Sequence, residues 1–149
     1  MPDLIERLMP EVPAPASWLG LAGVLPFLAG AVALYVAPDS GLLRSLMLGY
    51  GVAILSFMGG CRWGFAAAGM GGGASLRDYA LSVLPCLYAW IVVELPGAMP
   101  FFALALGFVA LLIADLRLAA EGRVPQWWPA LRRPLTLGAC TGLVLAGVA

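Results

Sequence analysis

The chain alternates between long uncharged stretches and short segments in which the charged side chains gather. A helix needs about 20 apolar residues to cross the hydrocarbon core of a bilayer, within a range of roughly 17–25. Five stretches approach that length, so the pattern predicts an all-α integral membrane protein whose single domain, residues 1–149, is a bundle of five transmembrane helices. The predicted spans lie at about 17–37, 45–66, 79–95, 101–117 and 130–148.

The composition agrees with a membrane protein and disagrees with a soluble one. Hydrophobic residues make up 62% of the chain and charged residues 11%, whereas soluble domains average about 45–50% and about 25%. A soluble protein of this composition could not cover its surface with charged groups. We therefore expect the lipid bilayer to be the main partner of this chain.

The positive charges all come from arginine and lie almost entirely on one side of the predicted bundle. With five spans, the N-terminus shares that side with the connections between spans two and three and between spans four and five. Because cytoplasmic segments carry the excess of basic residues, the asymmetry predicts the N-terminus inside and the C-terminus outside. The outer side holds only Arg44, and the inner side holds Arg7, Arg62, Arg77, Arg117, Arg123, Arg132 and Arg133.

Aromatic and basic residues stand together where the fifth span begins. Trp127 and Trp128 fit an aromatic belt at the headgroup level, and Arg132 and Arg133 can snorkel to the interface. We therefore predict that these four residues face lipid. With Arg123 they could also hold an anionic headgroup, although such clusters usually carry more basic residues and topology anchoring is the preferred interpretation.

Arg62 is the sharpest candidate site, because an ionisable residue inside a span is costly and is usually paired or functional. At about 1.5 Å per residue, Arg62 lies about 25 Å below Ser45 and Asp115 about 21 Å below Phe101, so their depths are similar. We predict that Arg62 pairs with Asp115, or with Asp78 as second choice. In the alternative, Arg62 snorkels to water or phosphate with Trp63 at the same level.

Small residues recur every four positions in the second and fifth spans. Such spacing places them on one helix face, where backbones approach closely. We interpret both faces as packing surfaces within the protein, with homo-dimerisation as the alternative, and we expect the glycines of span two to bury the helix end around Arg62. The residues are Ser56, Gly60, Gly64 and Ala68 in span two, with Gly59 beside them, and Gly138, Gly142 and Ala146 in span five.

Pro26 and Pro85 lie in similar Val-Leu-Pro strings of spans one and three. A proline within a helix frees the carbonyl four residues earlier and kinks the helix. In a membrane such a carbonyl is tolerated where protein or water meets it, which would suit a binding site at the midplane. Kinks that serve packing alone are the preferred interpretation.

The second span contains the most specific stretch of the chain, Ser-Phe-Met-Gly-Gly-Cys-Arg-Trp-Gly at residues 56–64. It resembles the signature of the family filed as domain of unknown function 3429. The similarity extends to the first span, to the third and to the entry of the fifth, at residues 19–27, 82–85 and 125–136. The resemblance implies a multi-span protein of a bacterial inner membrane, with a mitochondrial relative. It implies no activity and no catalytic residues.

The charge balance excludes several function classes. The formal net charge is zero and the chain has no histidine. A neutral chain lacks the basic surface of a nucleic-acid binder. Without histidine, and with three cysteines that fit no zinc spacing, we expect no metal and no other cofactor. The serines lack a histidine base, so we predict no catalytic residues and no enzyme.

Two functions remain. We expect a non-catalytic accessory or assembly component of a larger inner-membrane complex, with a protein partner or as a homo-oligomer. The alternative is a small transporter or channel subunit, in which Pro26, Pro85, Arg62 and Glu94 would line a polar path.

Overall fold

A computed structural model of the chain describes residues 12–70 and 75–149. The N-terminal tail with Arg7, and the triple-glycine segment of residues 71–73, lie outside the described residues. Within the described ranges the chain folds as five helices and no strand, which confirms the all-helical prediction. The helices are α1 (Ala14–Val36), α2 (Gly41–Ala67), α3 (Leu76–Val92), α4 (Met99–Ala120) and α5 (Trp128–Val148).

Each helix begins two to four residues before its predicted span, because each starts either at a capping serine or with a proline in its first two positions. The Ser40 hydroxyl accepts a hydrogen bond from the backbone N–H of Leu43 at 3.3 Å. Ser75 and Asp78 form a capping box at the start of α3. The other three helices carry a proline in their first two positions, where the missing N–H costs no hydrogen bond.

The helices pack as a bundle in which α5 lies between α1 and α4, while α2 packs along α3 and also contacts α1 and α4. The core sits where these helices converge. The Phe27 ring meets Tyr50 at 5.0 Å and Phe108 at 5.8 Å between ring centroids, both edge-on. Leu55, Leu104 and Leu143 are fully buried.

The arginine asymmetry of the sequence becomes an asymmetry of the folded bundle. The ends of α2 and α4 meet the starts of α3 and α5, and we call this the basic end. Its described arginines are Arg62, Arg77, Arg117, Arg123, Arg132 and Arg133. At the opposite end, Arg44 lies over the ring of Phe101 at 5.8 Å.

Three of the five helices, α1, α2 and α4, are long and apolar enough to cross a membrane. The 17-residue α3 is short for a spanning helix, which needs about 20 residues. In α5 the first turns carry Arg132 and Arg133, which lower its hydropathy. The number of spans therefore stays a prediction.

The small-residue face of α5 packs inside the protein as predicted. A Cβ atom on Gly142 would lie 2.6 Å from the backbone oxygen of Phe27, and one on Gly138 would clash with Val24. Ala146 is fully buried. These residues let α1 and α5 approach closely.

The prediction for the face of α2 is wrong. Gly60, Gly64 and Ala68 are exposed, and a Cβ atom on either glycine would meet nothing within 4 Å. Gly59 makes the close contact instead, since a Cβ atom there would lie 2.5 Å from the backbone oxygen of Ser82. One residue turns a helix by about 100°. The face toward α3 is therefore offset from the regular stripe, which points outward.

The two prolines have different surroundings. Pro26 lies on the exposed side of α1, as does Ala22, whose carbonyl it frees. Pro85 is half-buried and packs beneath Gly59. Only Pro85 therefore takes part in a helix–helix contact near the basic end.

Candidate functional site

Three charged side chains meet inside the basic end, one each from α2, α4 and α5. Asp115 lies between two guanidinium groups. Arg132 Nε donates to Asp115 Oδ2 at 2.9 Å, and Arg62 Nη1 donates to Asp115 Oδ1 at 3.4 Å. The ion pair predicted between Arg62 and Asp115 is present, and Arg132 joins it. We call these three residues the charge cluster.

Trp128 and Met58 complete the surroundings of the cluster. Trp128 Nε1 donates to Asp115 Oδ2 at 3.2 Å, and the Trp128 ring stands edge-on to Phe65 at 4.9 Å. Arg132 Nη1 lies 2.9 Å from the Met58 sulfur, a weak acceptor. The contacts join the C-terminal parts of α2 and α4 to the first two turns of α5.

The cluster is withdrawn from the surface. The Asp115 side chain is 0% exposed, Arg132 2% and Arg62 10%. Two guanidinium groups share one carboxylate, so the cluster is net positive. Arg62 Nε and Arg132 Nη2 have no hydrogen-bond partner among the described residues. Burying a charge costs free energy unless the charge is paired. The Asp115 carboxylate therefore offsets the cost of burying both guanidinium groups.

The prediction that Trp128 and Arg132 face lipid is wrong, because both are buried against Asp115. Trp127 is half-buried, so of the four residues only Arg133 is exposed at the surface of the bundle. Sequence reasoning missed Arg132 because two adjacent arginines at a helix start suit an interface equally well. Their faces differ by about 100°, which sends one inward. The spacing of Trp128 and Arg132, four residues apart on one face, was the available signal.

Asp78, the second choice as partner of Arg62, pairs elsewhere. Arg123 Nη2 lies 2.7 Å from Asp78 Oδ1, in front of the first turn of α3. Hydrogen bonds from the Arg123 guanidinium and from the Ser75 backbone and hydroxyl hold the pKa of Asp78 well below its usual range. The ion pair joins the connection after α4 to the start of α3.

The remaining predicted site residues are dispersed. Trp63 is 48% exposed and packs at a tilt against Tyr79, with 4.7 Å between ring centroids. Ser56 is half-buried in the middle of α2. Glu94 is exposed in the turn that follows α3, at the opposite end of the bundle from Arg62. Arg62 and Glu94 therefore share no site.

An apolar cavity of about 300 Å³ lies beside the charge cluster, between α1, α2 and α5. Arg132 is the only charged residue that lines it among the described residues, and Trp127, Trp128 and Phe108 contribute aromatic walls. In the described ranges no three histidine, cysteine or carboxylate side chains come together as a metal site would require. The chemistry of the cluster is that of a clamp between helices, because every charged group in it contacts another helix.

Comparisons with known proteins place the chain among membrane proteins. It is 32% identical to "Transmembrane protein 69" of Xenopus tropicalis over 147 residues, which cover 93% of this chain and 55% of that protein. It is 30% identical to "Transmembrane protein 69" of Mus musculus over 145 residues, covering 91% of this chain and 56% of that protein. The chain thus spans about half the length of these curated relatives. No solved structure matches it.

The family comparison covers nearly the whole chain. The model of the family described as "Protein of unknown function (DUF3429)" matches residues 12–148, which include all five helices and the three members of the charge cluster. The relatives named transmembrane proteins agree with the three helices that are long and apolar enough to cross a bilayer. This chain is a membrane protein and belongs to the DUF3429 family of unknown function.

Proposed function

We propose that this protein is a non-catalytic accessory or assembly component of a bacterial inner-membrane complex and that it docks a transmembrane helix of a partner protein on the outer face of α2. The observation that carries the proposal is a row of small residues along that face. They recur at intervals of three or four positions from the first half of the helix to its end: Gly49, Ala53, Ser56, Gly60, Gly64 and Ala67.

The face is open in this chain along its length. Every member of the row is exposed except Ser56, which is half-buried. A Cβ atom on Gly49, Gly60 or Gly64 would meet nothing within 4 Å. From Gly49 to Ala67 the row extends about 27 Å, close to the thickness of a hydrocarbon core of about 30 Å. A partner helix could therefore follow it from one interface to the other.

Lipid alone is a poor explanation of this face. In membranes, small residues concentrate where helices pack, because they let backbones approach, and hydroxyl groups hydrogen-bond across the contact. The exposed face of α1 shows the contrast, since large side chains such as Trp18, Leu25 and Val32 alternate there with small ones, whereas the row on α2 contains small residues alone. The Ser56 hydroxyl at the centre of the row supplies a polar contact for a partner.

The transporter alternative receives less support. Its polar path required Arg62 and Glu94 on one route, and the two residues lie at opposite ends of the bundle. The ionisable groups inside the bundle are bound to each other.

The proposal includes the membrane arrangement. All five helices span the inner membrane, and the basic end faces the cytoplasm because it carries the arginines. The residues that follow α3, up to Leu95, extend it to the length of a membrane span. In α5, the two arginines near its start lie at the depth of the lipid headgroups.

The test is affinity purification of the full-length protein from its native membrane in nanodiscs, with the stoichiometry of bound proteins measured by mass spectrometry. We expect a stoichiometric partner that is lost from the Gly60→Leu, Gly64→Leu double variant, because the leucines hold the helices apart. The matched control is Ala22→Leu with Ala29→Leu on the exposed side of α1, which should retain the partner.

Three outcomes would contradict the proposal. A partner retained by the glycine variant would place its docking surface elsewhere. A purified protein that forms only homo-oligomers lost in the same variant would identify a second copy as the occupant. Solute flux through liposomes that contain the protein alone would favour the transporter.

A further inference from the structure

A groove runs along the side of the bundle between α2, α3 and α4, away from the small-residue face of α2. Its volume is about 550 Å³. At the basic end it is lined by three arginines, one from each helix: Arg62, Arg77 and Arg117. No carboxylate lines it in the part of the chain that the structure describes. The groove therefore has one strongly cationic end.

The rest of the groove is almost entirely apolar. Leucines from all three helices form its walls, and the small Ala110 leaves space between them. At the far end Tyr88 packs closely over Gly107. Arg117 and Leu106 mark its extent on α4, and eleven residues of helix correspond to about 16 Å. Arg77 and Tyr88 give the same length on α3. This is about half of a hydrocarbon core of roughly 30 Å, the depth of one leaflet.

The arginines of the groove are available to an anion. Arg77 and Arg117 are exposed, and no described carboxylate lies within 4.0 Å of either. Arg62 is nine-tenths buried in the wall, and its Nε has no hydrogen-bond partner among the described residues. Arg62 already shares Asp115 with Arg132, so the carboxylate leaves a net positive charge behind the groove.

We infer that the groove binds one anionic phospholipid of the leaflet at the basic end. The phosphate lies between Arg77 and Arg117 with Arg62 beneath it, because guanidinium groups match phosphate oxygens in charge and geometry. One acyl chain fills the apolar part of the groove down to Leu106 and Tyr88. Basic pockets between membrane helices recognise anionic headgroups in this way. A free phosphate would leave the leaflet-deep apolar part of the groove unfilled.

This site differs from the interface predicted from the sequence. That prediction used Arg123, Arg132 and Arg133, but Arg132 is buried against Asp115 and Arg123 is bound to Asp78. Of the basic residues near α5, only Arg133 is exposed, and it does not line the groove. The lipid site and the helix-docking face use different sides of α2, so either can exist without the other.

The test is a lipid titration of the delipidated full-length protein in neutral detergent, with bound lipid counted by native mass spectrometry. The probes are phosphatidylglycerol and phosphatidylcholine with identical chains, and soluble glycerol phosphate. We expect one phosphatidylglycerol to bind more tightly than phosphatidylcholine, and glycerol phosphate not to bind. The Arg77→Gln, Arg117→Gln variant should weaken phosphatidylglycerol binding about 25-fold, since each basic residue near a membrane surface contributes about a factor of five.

Two control variants separate this site from general attraction to the basic end. Arg133→Gln removes an exposed charge at the same end outside the groove and should leave binding unchanged. Ala110→Phe fills the groove and should weaken binding of the lipid, whereas Val109→Phe on the neighbouring exposed position should not. Equal losses in Arg133→Gln and the double variant, equal affinity for both lipids, or tight binding of glycerol phosphate would each overturn the inference.

Discussion

Arg132 Nε and Asp115 Oδ2 lie 2.9 Å apart inside the bundle, with the two side chains 2% and 0% exposed. The same carboxylate oxygen also accepts a hydrogen bond from the Trp128 indole N–H, and the other oxygen accepts one from Arg62 Nη1. One aspartate thus binds the ends of α2 and α4 to the start of α5. Because these side chains are buried and have no other counter-charge among the described residues, the stability of the basic end depends on Asp115.

Replacing Asp115 should destabilise the protein strongly. The Asp115→Ala variant leaves two buried guanidinium groups without a counter-charge, which costs about 3–5 kcal/mol when one partner of a buried pair is removed. The free energy of unfolding in detergent, or the midpoint of thermal unfolding, measures the effect. Arg133→Ala is the control and should change stability by less than about 0.5 kcal/mol, because its side chain is exposed. A loss for Asp115→Ala as small as for the control would contradict the clamp.

The two arginines should couple to Asp115 unequally. Arg132 is closer to the carboxylate than Arg62, at 2.9 Å against 3.4 Å, and less exposed, at 2% against 10%. Double-mutant cycles with alanine at each arginine and at Asp115 should therefore give a larger interaction energy for Arg132. Strictly additive losses for Arg132 and Asp115 would show that the pair does not stabilise the fold.

Adjacent glycines in α2 should respond oppositely to alanine. At Gly59 a Cβ atom would lie 2.5 Å from the Ser82 backbone oxygen, which cannot move without shifting α3. We expect Gly59→Ala to cost about 1–3 kcal/mol, as overpacking does. At Gly60 the same atom meets nothing, so Gly60→Ala should be neutral or stabilise the helix by up to about 1 kcal/mol. The midpoints of thermal unfolding of the two purified variants test this prediction. Equal losses of stability in both would contradict the packing of α2 on α3.

The ion pair between Asp78 and Arg123 should resist acid. The pKa of Asp78 is held below its usual range, so its contribution to stability is present above the unfolded value of about 3.9 and is lost as the pH falls through the folded value. The stability difference between the native protein and Asp78→Asn should stay constant from about pH 7 to 5 and shrink below about pH 4. Asp39→Asn, an exposed site at the opposite end, is the control. A difference that already declines above pH 5 would contradict the lowered pKa.

The orientation can be read by labelling single cysteines in intact cells with an impermeant thiol reagent. In a chain whose three native cysteines are replaced, Ala98→Cys lies in the uncharged stretch around Pro96 to Pro100, which follows Glu94 in the connection between α3 and α4, and Gly73→Cys lies in the connection between α2 and α3. We expect labelling at position 98 and none at position 73, since the basic end faces the cytoplasm. The reverse pattern would show the opposite orientation. Labelling at both positions would show that α3 does not cross the membrane.

Much of the axial arrangement follows from the sequence. The lengths of the uncharged stretches predict five helices, and the arginine distribution predicts one basic end. The depth of Arg62 and Asp115 also follows, because a helix rises by a constant amount per residue and two residues at equal depth on neighbouring helices can meet. For this reason the ion pair between them was predictable although they are 53 residues apart.

Only the tertiary structure decided how each helix is rotated about its axis. A single residue turns a helix by about 100°, so Gly59 packs inward while Gly60 faces outward, and Arg132 is buried while Arg133 is exposed. In a soluble helix the hydrophobic stripe would reveal that rotation. In a membrane helix lipid and protein interior are both apolar, so hydropathy does not distinguish its faces, and only the contacts between the folded helices determine them.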